Sequence, residues 1–240
     1  MPTASQVLKE LAALGNENNL RTYARHGISA PGFGVPYADL YKLQKKLGVD
    51  QPLAVALWRT GNHDGRVLAG LICDPSMMKV SDLDAWAKTV DNMLMQHAVS
   101  DVALRSKFAR ARAEKWIESR SEWQAATGWH MIGHLGADPG AFSDKEAEAL
   151  LARIESEISG ERNRVKHSMN FALITMSTRS AGMCKLCVAA AKRIGKVKVD
   201  HGETSCKTPD AIPYIKKLVD RAKKKKATKK TSKQKVRAAK

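Results

Sequence analysis

The chain has 240 residues and a formal net charge of +17, from 41 lysines and arginines against 24 aspartates and glutamates. That length buries a real core, either as one domain or as a solenoid of packed repeats. No stretch approaches the roughly 20 apolar residues a bilayer span needs, no basic-flanked apolar run reads as a signal peptide, and four cysteines do not make a disulfide framework. The expectation is a cytoplasmic or nucleoid-associated protein with no membrane contact.

Helical periodicity runs through nearly everything before the C-terminal tail. Residues 4–14 put Val7, Leu8, Leu11 and Leu14 on one stripe, with Gly15 as a stop. A second helix is expected over 17–26, followed by the irregular loop GISAPGFGVP at 27–36, rich in glycine and proline. Helices are predicted over 36–48 and over 50–61, the latter with Asp50 as N-cap and Pro52 in its first turn. The pattern continues over 63–74, over 81–106 as two helices, and over 107–119. Ser121 with Gln124, and Ser143 with Glu146, stand at capping-box spacing at the heads of helices over 121–136 and 143–159. Helices over 162–180 and 181–195 follow, then KVKV (196–199) as the one strand-like piece, then a last helix from Thr208 and Pro209.

Helix pairs recur at about 35–45 residues, the period of HEAT or armadillo solenoids. The fold class predicted is therefore all-α, an α–α superhelix of HEAT-like repeats over residues 1–220, with a compact bundle as the plainer alternative. A curved array of this kind offers a hollow that, if basic, fits a duplex. Residues 221–240 carry nine lysines, two arginines and no acid, which reads as a disordered arm held open by repulsion. Its natural partner is a polyanion, because each lysine near a phosphate releases condensed counterions.

Four segments carry a resemblance: GVPYADLYKL (34–43), LWRTGNHDGRVLAGLICDP (57–75), NRVKHSMNFALI (163–174) and IGKVKVDHGETSCKTPDAIPYIKK (194–217). Together they resemble the AlkD-type DNA alkylation repair proteins over most of residues 5–220. The resemblance implies a HEAT-like solenoid that clasps duplex DNA. In active members it also implies monofunctional N-glycosylase action on N3- and N7-alkylated purines, without a base pocket or a cofactor. A carboxylate facing the sugar would stabilise the developing positive charge and orient water. Tryptophan faces would add cation–π attraction, and an arginine would grip the neighbouring phosphate.

Counting back from Lys115-Trp116 without gaps puts Asp91 at the family's catalytic aspartate, with Trp86 close before it; a shorter spacing puts His97 there instead. Ala87 replaces the second tryptophan of that run, Ala126 stands where the phosphate-gripping arginine belongs, and Phe171 stands for the later active-site tryptophan. One motif residue of four is kept as written and one in kind. Two readings follow: an alkylpurine glycosylase, or a binder of damaged or distorted double-stranded DNA without excision. Arg105, Arg112 and His130 are the candidates to replace the lost arginine. Trp123 joins Trp86 and Phe171 as an aromatic DNA contact. Arg162, Arg164, Lys166 and Arg179 are the phosphate contacts expected first, with Arg105 and Lys107 behind them. The protein is read as a monomer without cofactor or metal.

Rival readings stand beside these. A helical-repeat adaptor for protein, or a binder of branched DNA, would have the same sequence pattern. Cys184, Cys187, His201 and Cys206 could in principle close a zinc site, although the first two lie in an apolar helix where cysteine behaves as a small hydrophobe. GFGVP lacks the GK[ST] of a P-loop and reads as a turn. HDGR (63–66) fits either Arg66 near a phosphate or a cap with a buried arginine. Trp58, Trp116 and Trp129 read as core, and core packing is also the alternative to a DNA contact for Trp123.

Overall fold

The structure, a computed structural model, describes residues 2–29 and 31–221. The predicted arm, beyond Arg221, lies outside the described residues. The helices are α1 (Ala4–Leu14), α2 (Glu17–Arg25), α3 (Tyr37–Leu47), α4 (Gln51–Arg59), α5 (His63–Ile72) and α6 (Val80–Lys88). They continue as α7 (Met93–Arg105), α8 (Ala109–Ile117), α9 (Glu122–Ala137), α10 (Asp144–Glu157), α11 (Asn163–Met176) and α12 (Ala181–Ile194). Residues 211–221 form a further helix.

Local chemistry sets most of these boundaries. Asp50 caps α4 by accepting the Leu53 N–H at 3.0 Å, as predicted, and Pro52 occupies the first turn. Both halves of the Ser143–Glu146 capping box are made at α10. Gln124 instead accepts the Ser119 hydroxyl at 2.8 Å. KVKV is not a strand: among the described residues no strand forms, so its alternation has no ladder to join.

The chain divides into two compact units, Met1–Ile132 with Asp200–Lys207, and Gly133–Val199 with Thr208 onward. In the first unit α4 packs on α5 and α6 on α7, while α5 also packs on α3 and α7. In the second, α10 packs on α11 and α12, and α11 on α12. Successive helices pack as pairs at α4–α5, α6–α7 and α11–α12, and second neighbours stack at α3–α5, α5–α7 and α10–α12, the packing that stacked helix pairs require. The stacked partners α3 and α5 begin at Tyr37 and His63, closer than the 35–45 residues expected, because these helices are only three turns long. Leu11, Leu40, Leu57, Leu68 and Ile72 fill the first core; Ile154, Met169, Ala172, Met176 and Cys187 fill the second.

Helix α9, in which the division falls, is smooth by composition. A Cβ at Gly128 would lie 2.6 Å from the Ile117 nitrogen of α8, and one at Gly133 would lie 2.8 Å from the Ala172 Cα of α11. Any side chain at these two positions would push the neighbouring helix away.

Candidate nucleic-acid interface

Asp91 lies half-buried in the connection between α6 and α7. It is not itself the cap: Asn92 caps α7 by accepting the Met95 N–H at 3.0 Å, and donates its amide to Asp91 Oδ1 at 2.6 Å. That bond orients the carboxylate and leaves its other oxygen for further contacts. Trp86, the aromatic expected beside it, is 5 % exposed and stacks on Trp58, with ring centroids 3.9 Å apart and planes 4° from parallel. One indole face of each is therefore occupied by the other. The Arg66 guanidinium sits 5.6 Å over the Trp58 ring and donates from Nε to the Trp58 carbonyl at 3.3 Å. Arg66 is half-buried and held to protein.

The first unit also holds a buried group the sequence did not flag. His63 is wholly buried, packs edge-on against the Tyr23 ring at 4.9 Å, and leaves both ring nitrogens without a hydrogen-bond partner. Burial pushes its pKa down; the charges of Asp64 and Asp91 oppose that, and Arg66 adds to it. Asp64, also fully buried, holds the glycine-rich loop. Its Oδ2 accepts the Phe33 and Gly34 N–H groups, and its Oδ1 accepts the Val35 N–H and the Tyr23 hydroxyl. The loop's other side rests on the α1–α2 turn. A Cβ at Gly34 (φ +72°) would meet the Asn16 carbonyl at 2.5 Å, and one at Gly15 the Phe33 carbonyl at 2.1 Å.

His97, the alternative to Asp91, is exposed on α7 and faces His130 of α9 across 4.9 Å between ring centroids. The structure so brings together the second catalytic candidate and one of the three groups proposed to replace the lost arginine. Ala126, at the arginine's position, is buried, and its carbonyl accepts the Gln96 side-chain amide at 3.0 Å. Arg112 is held elsewhere. With Lys115 it clasps Asp84 at 2.9 Å, and Trp116 donates its indole N–H to the same carboxylate at 2.7 Å. Burial pushes the Asp84 pKa up, but the hydrogen bonds from Lys115, Trp116 and Arg112 outweigh it and hold the carboxyl below its usual range. Trp116 and Trp129 are core, as read; Trp123 is half-buried. In the second unit Phe171 is half-buried, its ring 5.3 Å from His134.

Among the phosphate candidates, Arg179 has a different task. Its side chain is 3 % exposed and donates to the carbonyls of Gly136, Asp138 and Phe142 and to the Asp144 carboxylate. The guanidinium ties the α9–α10 connection to the end of α11, so Arg179 is not available to a phosphate. Arg162 pairs with Glu161 at 3.4 Å; Arg164 and Lys166 follow on α11, both half-exposed. In the first unit Arg105 pairs with Asp101 at 2.8 Å, and Lys107 sits 5.2 Å over the Phe108 ring. Surface pairs of this kind are worth little and can be exchanged for a phosphate.

The rival metal reading finds no support. Among the described residues no group of three or more His, Cys, Asp or Glu side chains is placed to hold an ion. Cys187 is wholly buried, and its thiol is pushed up to about 12 chiefly by that burial, with Cys184 adding to it. No helix among the described residues is long and apolar enough to cross a membrane.

A model of the family described as "DNA alkylation repair enzyme" matches residues 7–215. The chain is 33 % identical over 228 residues to "Uncharacterized protein Lin0241" of Listeria innocua serovar 6a, covering 92 % of this chain and 99 % of that one. It is 32 % identical over 230 residues to "Uncharacterized protein Lmo0209" of Listeria monocytogenes serovar 1/2a, covering 93 % and 100 %. A solved structure described as "A new family of proteins related to the HEAT-like repeat DNA glycosylases with affinity for branched DNA structures" superposes with a TM-score of 0.83 at 30 % identity, over 92 % of this chain and 95 % of that one. The all-α fold is accordingly that of the HEAT-like repeats.

Proposed function

This chain belongs to the DNA alkylation repair enzyme family, and from that membership we propose that it binds damaged, distorted or branched DNA through the phosphate backbone. The observation that carries this reading is the likeness, over nearly the whole chain, to a structure from a family with affinity for branched DNA. The charge supports it. Arg105, Arg110 and Arg193 are paired to acids on the surface, but many lysines have no acidic partner among the described residues, and lysine as a mobile point charge suits phosphate contact better than base reading.

Binding rather than excision is the function the geometry favours. Asp91 is oriented by Asn92 and half-open, so it could face a sugar, but the indole expected beside it is stacked away against Trp58. Ala126 supplies no phosphate grip. The test is direct: fluorescence anisotropy with duplex, nicked duplex and four-way junction, alongside release of 7-methylguanine or 3-methyladenine from alkylated duplex. The reading expects tightest binding to the junction and no base release above background. Release that Asp91→Asn abolishes would replace it with the glycosylase reading.

A further inference from the structure

The second unit carries a hollow of about 280 Å³ with three lysines at its rim. Lys166 comes from α11, while Lys196 and Lys198 come from the connection after α12. Gly195 makes the meeting possible. It ends α12 at φ +75°, a left-handed conformation that L side chains rarely adopt, and turns the chain back toward α11. Ile158, Ile194 and Val197 provide apolar walls, and Ser159 adds a hydroxyl.

No carboxylate lines this hollow. None of the three lysines makes an ion pair with a described residue, whereas nearby Arg193 is held by Glu155. The last residue of α12, Ile194, and the C-cap of α10, Ile158, bring helix carbonyl ends here, which offset part of the mutual repulsion but carry no full charge. Three like charges around one cavity remain uncompensated in the protein itself. A group that neutralises them needs negative charge, several acceptor oxygens and an apolar body against isoleucine and valine.

The geometry points to a phosphate-ester site at Lys166, Lys196 and Lys198, which rests on the DNA-binding reading above. The lysines and the Ser159 hydroxyl hold the phosphate oxygens, and the attached sugar lies along the apolar wall. A backbone diester, a strand-terminal monoester and free phosphate share this chemistry. The hollow is a second, discrete binding point within the fold, distinct from the surroundings of Asp91 in the first unit.

The experiment compares the full chain with the variant Lys166→Gln, Lys196→Gln, Lys198→Gln and with a charge-matched control, Lys9→Gln, Lys45→Gln, Lys145→Gln. Anisotropy is read against salt for a junction with and without 5′-terminal phosphates, and heat unfolding is read with and without inorganic phosphate. The site predicts at least about a tenfold loss of affinity beyond the control, and a slope of log K against log salt shallower by about 0.9 for each phosphate no longer neutralised. Loss confined to phosphorylated ends assigns the monoester, loss with both DNAs the diester, and phosphate protection removed by the variant alone the free anion. Equal behaviour of variant and control in every arm overturns the site. If the wild-type chain binds none of the DNAs, the DNA-binding reading falls instead, and protection by inorganic phosphate still decides whether the hollow takes an anion.

Discussion

The Asp64 carboxylate accepts the Phe33 backbone N–H at 2.6 Å, and one buried side chain holds residues 33–35 of the glycine-rich loop. Three successive N–H groups and the Tyr23 hydroxyl converge on it. Asp64→Asn would turn an NH₂ donor toward some of these donors and leave buried N–H groups unmet. The expected loss is about 2–4 kcal/mol of folding stability, read from the denaturant midpoint. A loss below about 0.5 kcal/mol would show that the loop is held without it.

His63 makes stability depend on pH. Its pKa in the folded chain lies below the ordinary value of about 6.5, because burial penalises the imidazolium more than Asp64 and Asp91 favour it. Below about pH 6.5 the unfolded chain therefore binds a proton that the folded chain refuses, and stability falls as pH drops, until the folded-state pKa is passed. Replacing His63 by Leu removes this contribution. The Leu variant should lose less stability than wild type between pH 7.5 and 5.5, measured by urea unfolding at each pH; an identical drop in both proteins would remove His63 as the cause.

Arg179 separates a structural guanidinium from a phosphate-binding one. Four acceptors surround it, and lysine can satisfy only part of that fork. Arg179→Lys should destabilise the second unit by about 2–3 kcal/mol while leaving the salt dependence of DNA binding unchanged. A shallower salt slope with intact stability would return Arg179 to the interface.

Helix positions are legible in the sequence because period and caps act locally: Asp50 and the Ser143–Glu146 box declare their helices within three residues. The family is readable from extended motifs such as HGETSCKTPDA. The roles of single charged residues are not, because they depend on partners far away in the chain. Arg179 meets Asp144 from 35 positions away, and Asp64 meets Phe33 from 31. Trp86 reads as a free aromatic face, yet Trp58, brought over by α4, covers it. Lys196 and Lys198 read as strand alternation, and only the turn at Gly195 explains why they meet Lys166.

The tail can be tested as a separate element. With nine lysines and two arginines over residues 221–240, its removal should weaken DNA binding at low salt and flatten the salt slope by several units, about 0.9 for each phosphate that the tail neutralises. Unchanged slope after truncation at Asp220 would exclude it as a DNA arm.

The most direct measurement is the affinity of the full chain for a fluorescent four-way junction and for a duplex of equal length, across a salt series. Recognition of branched DNA through its phosphates requires junction binding stronger than duplex binding, with log K falling linearly as log salt rises. No binding to either at the lowest salt, or binding indifferent to salt, would contradict it.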